Sequence, residues 1–198
     1  MNESSTRDRQ VRRTRRLLHK ALMRLVLQKK YESITVQDIL DRADVGRSTF
    51  YTHFRDKDDL LRDGLHYLNH AVNSGDVVRT KEAGRCDRII SFSLPMFEHA
   101  KEYRAVIRAL LGSTAEIVVR QHIQSLLTSI VSQRVKTELR HHKPLQGALS
   151  SELLTDFIVS TYVWTFMLWL SSRNPLSPRE IDAVYRAFVL PSMESIFR

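Results

Sequence analysis

The chain has 198 residues, and its 31 Lys and Arg residues exceed its 22 Asp and Glu residues by nine, a formal net charge of +9. This length allows one or two domains with a substantial core, and the charge favours a polyanionic partner such as nucleic acid. The sequence contains no P-loop, Gly-x-Gly-x-x-Gly, Gly-x-Ser-x-Gly or His-Glu-x-x-His motif, which disfavours an enzyme.

The chain begins with a strongly basic stretch. Residues 1–10 are polar and lack periodicity, so we expect a disordered basic arm, and they lack the apolar run of a signal peptide. An apolar stripe at helical spacing then predicts a first helix: Leu17, Leu18, Ala21, Leu22, Leu25 and Val26. Ten Lys or Arg residues precede residue 31 against two acids, Glu3 and Asp8, a concentration suited to a DNA backbone.

Residues 35–61 have the pattern of a helix-turn-helix. Val36, Ile39, Leu40 and Ala43 follow the i, i+3, i+4, i+7 spacing of a short amphipathic helix. Thr35 and Asp38 form a capping-box pair at its start. Asp44, Val45 and Gly46 then predict a tight turn, because Asp tolerates a left-handed backbone and Gly adopts one without strain.

The next helix is expected to present a polar face. Phe50 and Phe54 lie at i and i+4 and are predicted to point inward, which leaves Ser48, Thr49, Tyr51 and Thr52 on or near the outer face. Arg47 lies at the tip, where a guanidinium can reach guanine edges in a major groove. A fourth helix is predicted from Asp56 to about Asn73, and the cation of Lys57 at its start suggests a phosphate contact.

The remainder of the chain is predicted to be helical as well. A loop is expected over residues 75–85, followed by helices over about 87–99, 101–111, 114–141, 151–173 and 178–197. The segment from Asp156 to Ser172 is apolar nearly all round, yet its dense part is shorter than the roughly 20 residues that span a bilayer. We therefore expect this helix to be buried by its own domain on one face and by a second subunit on another.

The helix-turn-helix stretch resembles the DNA-binding region of the tetracycline-repressor (TetR) family of bacterial transcription regulators. The matching positions are Thr35, Val36, Ile39, Ala43, Val45, Thr49, Tyr51, Phe54, Lys57 and Leu60; Asp44 departs from the Gly usual in the family. The resemblance covers about a quarter of the chain. It implies an all-α fold of about nine helices, in which a three-helix DNA-binding domain (residues 11–60) is joined by helix four to a helical effector-binding and dimerisation domain (residues 61–198).

Residue roles follow from the outer-face pattern and from this resemblance. We expect Arg47, Ser48 and Thr52 to face base edges, and Thr35, Tyr51, His53 and Lys57 to hold phosphates, with Thr49 also in the DNA-binding set. In the resembled family the last two helices form a dimeric four-helix bundle. Our candidates for that interface are Trp164, Leu168, Ala183, Ala187 and Leu190.

Two other sets of side chains leave alternatives open. Aromatic and apolar residues of the C-terminal half can line an effector pocket or fill a core: Phe92, Met96, Phe97, Tyr103, Ile107, Tyr162, Phe166 and Trp169. His66 and His70 have the i, i+4 spacing of metal ligands, but no third ligand is evident, and we expect solvated histidines and no metal. The sole cysteine, Cys86, cannot form an intrachain disulfide and fits a reducing cytoplasm.

The resulting hypothesis is a cytoplasmic, homodimeric, ligand-responsive regulator, a repressor that a small-molecule effector releases from a pseudo-palindromic operator. It needs no cofactor and no membrane. The alternative is a basic architectural protein that coats DNA regardless of sequence. The arginine-rich first 30 residues support this alternative. An enzyme in the C-terminal bundle would require convergent catalytic groups, and the sequence shows none.

Overall fold

A computed structural model describes residues 3–65, 84–141 and 150–197, and within these ranges the regular structure is entirely helical. The α-helices are α1 (Glu3–Val26), α2 (Val36–Ala43), α3 (Arg47–His53), α4 (Lys57–Leu65), α5 (Arg85–Ile89), α6 (Ser93–Glu102), α7 (Arg104–Leu110), α8 (Thr114–His141), α9 (Ser151–Ser171) and α10 (Pro178–Phe197). A 3-10 turn, Tyr31–Ser33, lies between α1 and α2. The predicted all-α fold is confirmed.

One compact unit comprises Met1–His66 and Ala105–Val119. In it α1 packs against α2 and α4, and α2 packs against α3. The core is largely apolar, and its largest fully buried side chains are Tyr31, Phe50, Leu18, Leu22, Ile34, Ile39 and Leu60. The stripe predicted on the first helix supplies this core, except that Leu17 remains exposed. Burial of one face by each short helix stabilises elements that are too short to persist alone.

A charged cluster joins α1 to α4 within this unit. Asp63 of α4 accepts hydrogen bonds from the guanidinium of Arg15 and, at 2.7 Å, from Nε2 of His19. His19 is buried, and its ring lies edge-on to Phe54. A Cβ at Gly64 would come within 2.9 Å of Nδ1 of His19, so this position requires the smallest residue if the His19 ring is to stay in place. These contacts fix α4 against α1.

The second unit comprises Tyr67–Arg104 and Arg120–Arg198. Here α10 packs against α5, α6 and α9. Its core is rich in aromatic rings, and it also buries Asp182, which accepts hydrogen bonds from the Ser93 hydroxyl and, at 2.8 Å, from Nε of Arg186. Pairing with a hydroxyl and a guanidinium offsets the cost of burying that carboxylate.

Several helix boundaries differ from those predicted. The helix α1 begins at Glu3, so the expected disordered arm over residues 1–10 was wrong for the part that the structure describes. The helix expected over residues 87–99 is divided into α5 and α6 by a turn at residues 90–92. Residues 105–119, which we placed in the C-terminal domain, belong to the first unit. The predicted end of helix four and most of the 75–85 loop lie outside the described residues.

The apolar helix α9 has 21 residues and is, by length and composition, the one described helix that could cross a membrane. It is longer than the dense apolar stretch identified in the sequence, because polar residues at both ends continue the helix. Of its most hydrophobic window, 61% is buried inside the structure. That burial is typical of a core helix.

The buried His19 makes the stability of the first unit depend on pH. Burial lowers the pKa of His19 from 6.5, although the hydrogen bond to Asp63 opposes the shift. The folded state therefore binds this proton less readily than the unfolded chain, so stability is retained above about pH 6.5 and falls as the pH drops below it. We expect His19→Gln to flatten this decline in urea unfolding between about pH 7.5 and about pH 5.5. An unchanged decline would contradict the assignment to His19.

Candidate nucleic-acid interface

The entry to α2 is fixed by the capping box that the sequence predicted. The Asp38 amide donates to the Thr35 hydroxyl at 3.1 Å, and the Thr35 amide donates to the Asp38 carboxylate at 2.7 Å. Lys29, just beyond α1, forms an ion pair of 2.7 Å with the same carboxylate. The hydrogen bonds of Asp38 with Lys29 and then Thr35 hold its pKa well below the usual range. The start of α2 is thus tied both to its own cap and to the end of α1.

The turn between α2 and α3 has the predicted backbone. Asp44 adopts a left-handed conformation with φ 52° and ψ 53°, as the C-cap of α2. Asp tolerates this conformation better than most residues do. The amide of Val45 donates to the carbonyl of Leu40 at 3.2 Å, which closes the turn. The departure from Gly at position 44 therefore leaves the turn geometry intact.

The helix α3 buries one edge and exposes the other. Phe50 and Phe54 are buried with ring centroids 5.8 Å apart, while Arg47, Ser48, Thr49 and Tyr51 are exposed. Tyr51 retains 52% of its surface, with its ring edge-on to Phe50. Thr52 is also exposed, but its hydroxyl donates to the carbonyl of Ser48 at 2.9 Å. The outer face is polar, as the sequence predicted, and His53 lies half-buried at its edge.

Two residues that we expected to hold phosphates have partners inside the protein. The Thr35 hydroxyl donates to Asp38 at 2.7 Å as part of the cap. The ammonium of Lys57 donates to the carbonyls of Tyr31 at 2.8 Å and Ile34 at 2.9 Å, with Glu32 at 3.4 Å, and lies 4.5 Å from the Tyr31 ring centroid. These contacts explain a cation at the start of α4 without any phosphate. The phosphate role of both residues stays a prediction.

A contact that the sequence did not indicate connects the 3-10 turn to the start of α8. The carboxylate of Glu32 accepts a hydrogen bond of 2.8 Å from the amide of Thr114. This bond is the largest cause of a lowered pKa of Glu32, and a carboxylate at a helix N-terminus is favoured by the helix dipole. The carbonyl of the same residue faces Lys57. The turn therefore contacts both Lys57 of α4 and Thr114, which lies 82 residues after Glu32 in sequence.

The outer side of α1 carries a line of cations that we call the basic ridge: Arg12, Arg13, Arg16, Lys20 and Arg24. All five are exposed, and they follow helical spacing on the face opposite the buried Leu18 and Leu25. Within the described part of the chain none of the five has an acidic partner. At 1.5 Å per residue the ridge is about 18 Å long.

The residues proposed for an effector pocket are divided. Six of them, Phe92, Met96, Phe97, Tyr162, Phe166 and Trp169, are buried in the second unit. The rings of this set pack with centroids 4.9–6.2 Å apart, as in a core. Burial raises the pKa of Tyr162 well above its usual value, and its hydroxyl faces the carbonyl of Ser93 at 3.4 Å. Tyr103 is half-exposed beside His99, and Ile107 belongs to the first unit. The pocket role of all eight residues stays a prediction.

The residues proposed for a dimer interface lie on outward faces of α9 and α10. Trp164 and Leu168 retain 58% and 54% of their surface, Ala183 and Ala187 are exposed, and Leu190 is half-buried. Three large apolar residues that we had not singled out are also exposed on these helices: Leu153 and Phe157 of α9 and Phe188 of α10. The spacing of Leu153 and Phe157 before Trp164 would have identified them as one helical stripe.

Metal ligands are not grouped in the described residues, where no three His, Cys, Asp or Glu side chains converge. His66 and His70 lie outside that part of the chain. Cys86 is buried, and burial raises the pKa of its thiol to about 11.

Two comparisons with known proteins match part of the chain. The model of the family described as bacterial regulatory proteins, tetR family, matches residues 18–63. The uncharacterized HTH-type transcriptional regulator YxbF of Bacillus subtilis (strain 168) is 41% identical over 56 residues, or 28% of this chain. The matched stretch spans only 15% of that relative's length.

Solved structures resemble the chain along most of its length. A TetR transcriptional regulator from Streptococcus agalactiae 2603V has a TM-score of 0.64 at 23% identity, covering 94% of this chain and 99% of that one. A TetR-family transcriptional regulator from Syntrophomonas wolfei str. Goettingen has a TM-score of 0.71 at 18% identity, covering 90% and 94%. The dihydroxyacetone kinase operon activator DhaS has a TM-score of 0.67 at 13% identity, covering 93% and 98%. At these identities the likeness shows the fold.

The contacts of Lys57 predict a loss of stability when its ammonium is removed. We expect Lys57→Met to lower the free energy of unfolding by about 1.5 kcal/mol, because three backbone carbonyls lose a charged donor. Denaturant unfolding followed by circular dichroism measures the change, and Lys20→Met on the basic ridge is the matched control. Equal stabilities of the two variants, with a DNA salt slope reduced by about one for Lys57→Met, would instead assign the ammonium to a phosphate.

Proposed function

Because the chain belongs to the tetR family of bacterial regulatory proteins and carries that family's helix-turn-helix DNA-binding domain, we propose that it acts as a cytoplasmic homodimeric repressor. A small-molecule effector would release it from a pseudo-palindromic operator. The observation that carries this proposal is the exposed polar face of α3, with Arg47 at its tip, held by two buried phenylalanines.

Repression, as opposed to activation, is the most specific part of the proposal. DhaS, which shares the fold, is described as an operon activator, so the fold alone is compatible with either sign. Repression is the simpler outcome, because a dimer bound across two major grooves excludes other proteins from the same DNA. The position of the operator relative to the promoter would decide the sign.

The basic ridge supports a contribution of DNA backbone contacts to the binding affinity. Its five cations lie along about 18 Å of helix, comparable to the length of about five phosphates on one strand. Such contacts add affinity for any sequence, so they also fit the second candidate, an architectural protein that coats DNA. The ordered outer face of α3 favours the first candidate, because electrostatic coating requires no such arrangement of base-directed side chains.

Dimerisation is supported by the apolar surface on α9 and α10. Trp164, Leu168 and Phe188 each leave at least half of their surface in solvent in the single chain. Large exposed apolar patches of this kind mark protein interfaces. In a twofold dimer the same surface of each copy would face the other, and two copies of α3 would enter major grooves about 34 to 36 Å apart, or a multiple of that distance.

For an effector to change DNA binding, its site must be connected to the helix-turn-helix. The helix α8 provides a connection, because it continues beyond Val119 into the second unit. At its start Thr114 donates to Glu32 of the 3-10 turn, and the same turn accepts hydrogen bonds from Lys57 of α4. An effector that favours a different position of α8 would alter these contacts of α4. It would release DNA only to the extent that it binds that second state more tightly.

The proposal is tested by footprinting the protein on DNA upstream of its own and neighbouring genes, with excess random DNA at physiological salt. Protection of a short pseudo-palindrome is the expected result. Equal affinity for random and upstream DNA, with a steep loss of binding as salt rises, would favour the architectural protein.

Arg47 provides a sharper prediction on the same DNA. We expect Arg47→Ala to relax sequence preference and to lower affinity for the operator by about 1–3 kcal/mol, because a bidentate contact with guanine is lost. Affinity for random DNA should change far less. Competition titrations with both DNAs measure the ratio, and equal losses on the two would contradict a base contact by Arg47.

Trp164 tests the proposed dimer. We expect Trp164→Glu to weaken self-association by about 30-fold or more, because a charge would be buried at the centre of an apolar interface. Sedimentation measures the dissociation constant, and Ile117→Glu, on a similarly exposed site of α8, is the control. A dimer that withstands Trp164→Glu as well as the control would place the interface elsewhere.

A further inference from the structure

An open cleft of about 320 Å³ lies where α2 meets the turn before α3. Gln37 and Asp41 of α2 line it, together with Asp44 of the turn and Arg47 at the start of α3. Gln37, Asp41 and Arg47 are exposed. The cleft therefore brings a side-chain amide of α2 to the same surface as the guanidinium that we assign to a guanine.

Asp41 fixes the orientation of the Gln37 amide. Nε2 of Gln37 donates to Oδ1 of Asp41 at 2.7 Å. An ionised carboxylate can only accept, so the nitrogen and not the oxygen of the amide must face it. The carbonyl oxygen of Gln37 and its second N–H remain for another partner. One acceptor and one donor thus lie side by side at the edge of the cleft.

We propose that Gln37 is a second base-reading residue, selective for adenine, and that Asp41 is its positioning residue. Adenine presents its N6 amino group and N7 side by side in the major groove, and a glutamine can accept from the first and donate to the second. Guanine presents two acceptors and would leave the amide oxygen without a donor. This inference rests on the proposed operator binding and specifies an A·T pair near the pair that Arg47 contacts.

The negative charge of Asp41 opposes DNA binding in general. A carboxylate close to phosphates repels them, so its presence beside Gln37 lowers binding to every sequence. Its hydrogen bond would restore selectivity by excluding the flipped amide, whose NH2 group would donate to the acceptors of other bases such as guanine. Asp41 therefore exchanges affinity for discrimination.

The test begins with selection of binding sites by the full-length wild-type protein from random duplex DNA. Failure to enrich any motif would contradict the proposed function itself, before Gln37 is considered. With a motif in hand, affinities are measured for the selected duplex and for duplexes with each base pair replaced in turn, using wild type, Gln37→Ala, Asp41→Asn and the exposed-glutamine control Gln124→Ala.

For Gln37→Ala we expect one A·T position, adjacent to the position relaxed by Arg47→Ala, to lose about fivefold or more of its discrimination while other positions keep theirs. Asp41→Asn should lower discrimination at that same position and raise affinity for random DNA, since a negative charge is removed while the amide can flip. A purely structural role would not move these two quantities in opposite directions. Unchanged discrimination in Gln37→Ala, or a loss equal to that of Gln124→Ala, would overturn the inference.

Discussion

The interface depends on the burial of Phe50 and Phe54. The helix that presents Arg47 and Tyr51 has only seven residues and no side-chain cap at its start, so it could not persist in water by itself. Its position comes from the two rings packed into the core of the first unit, with Arg15 and His19 against Phe54. Everything that the outer face can do follows from a hydrophobic contact on the inner face.

Local signals predicted the helix-turn-helix well. The capping box of Thr35 and Asp38, the left-handed Asp44 and the inward Phe50 each depend on interactions within a few residues, and the structure confirms them. The contacts of Lys57 and Glu32 were not predictable in this way. Their partners are backbone groups, which carry no sequence signature, and Thr114 lies 82 residues from Glu32. The helical start at Glu3 was missed because that stretch has no apolar periodicity.

In the C-terminal half, the sequence predicted where the helices lie better than it predicted which face of each helix is buried. The predicted bounds of α8 and α10 match the structure. The start of α10 is marked by Pro178 in its first turn and by the capping pair of Ser177 and Glu180, which are hydrogen-bonded. For α9 the apolar residues extend all round, so periodicity could not separate Tyr162, which is fully buried, from Trp164, which is exposed two residues later. The same ambiguity applies to the aromatic cluster, where rings suited to an effector are equally suited to a core.

The basic ridge on α1 has a consequence for the free protein. Five cations on one face of a helix repel one another, most strongly at i, i+4 spacing, and within the described residues no carboxylate pairs with them. Added salt screens this repulsion and so stabilises the unbound first unit, whereas the same salt displaces the protein from a phosphate backbone. Ionic strength would therefore act with opposite sign on the fold and on the proposed complex, in which DNA would serve as the counterion of the helix.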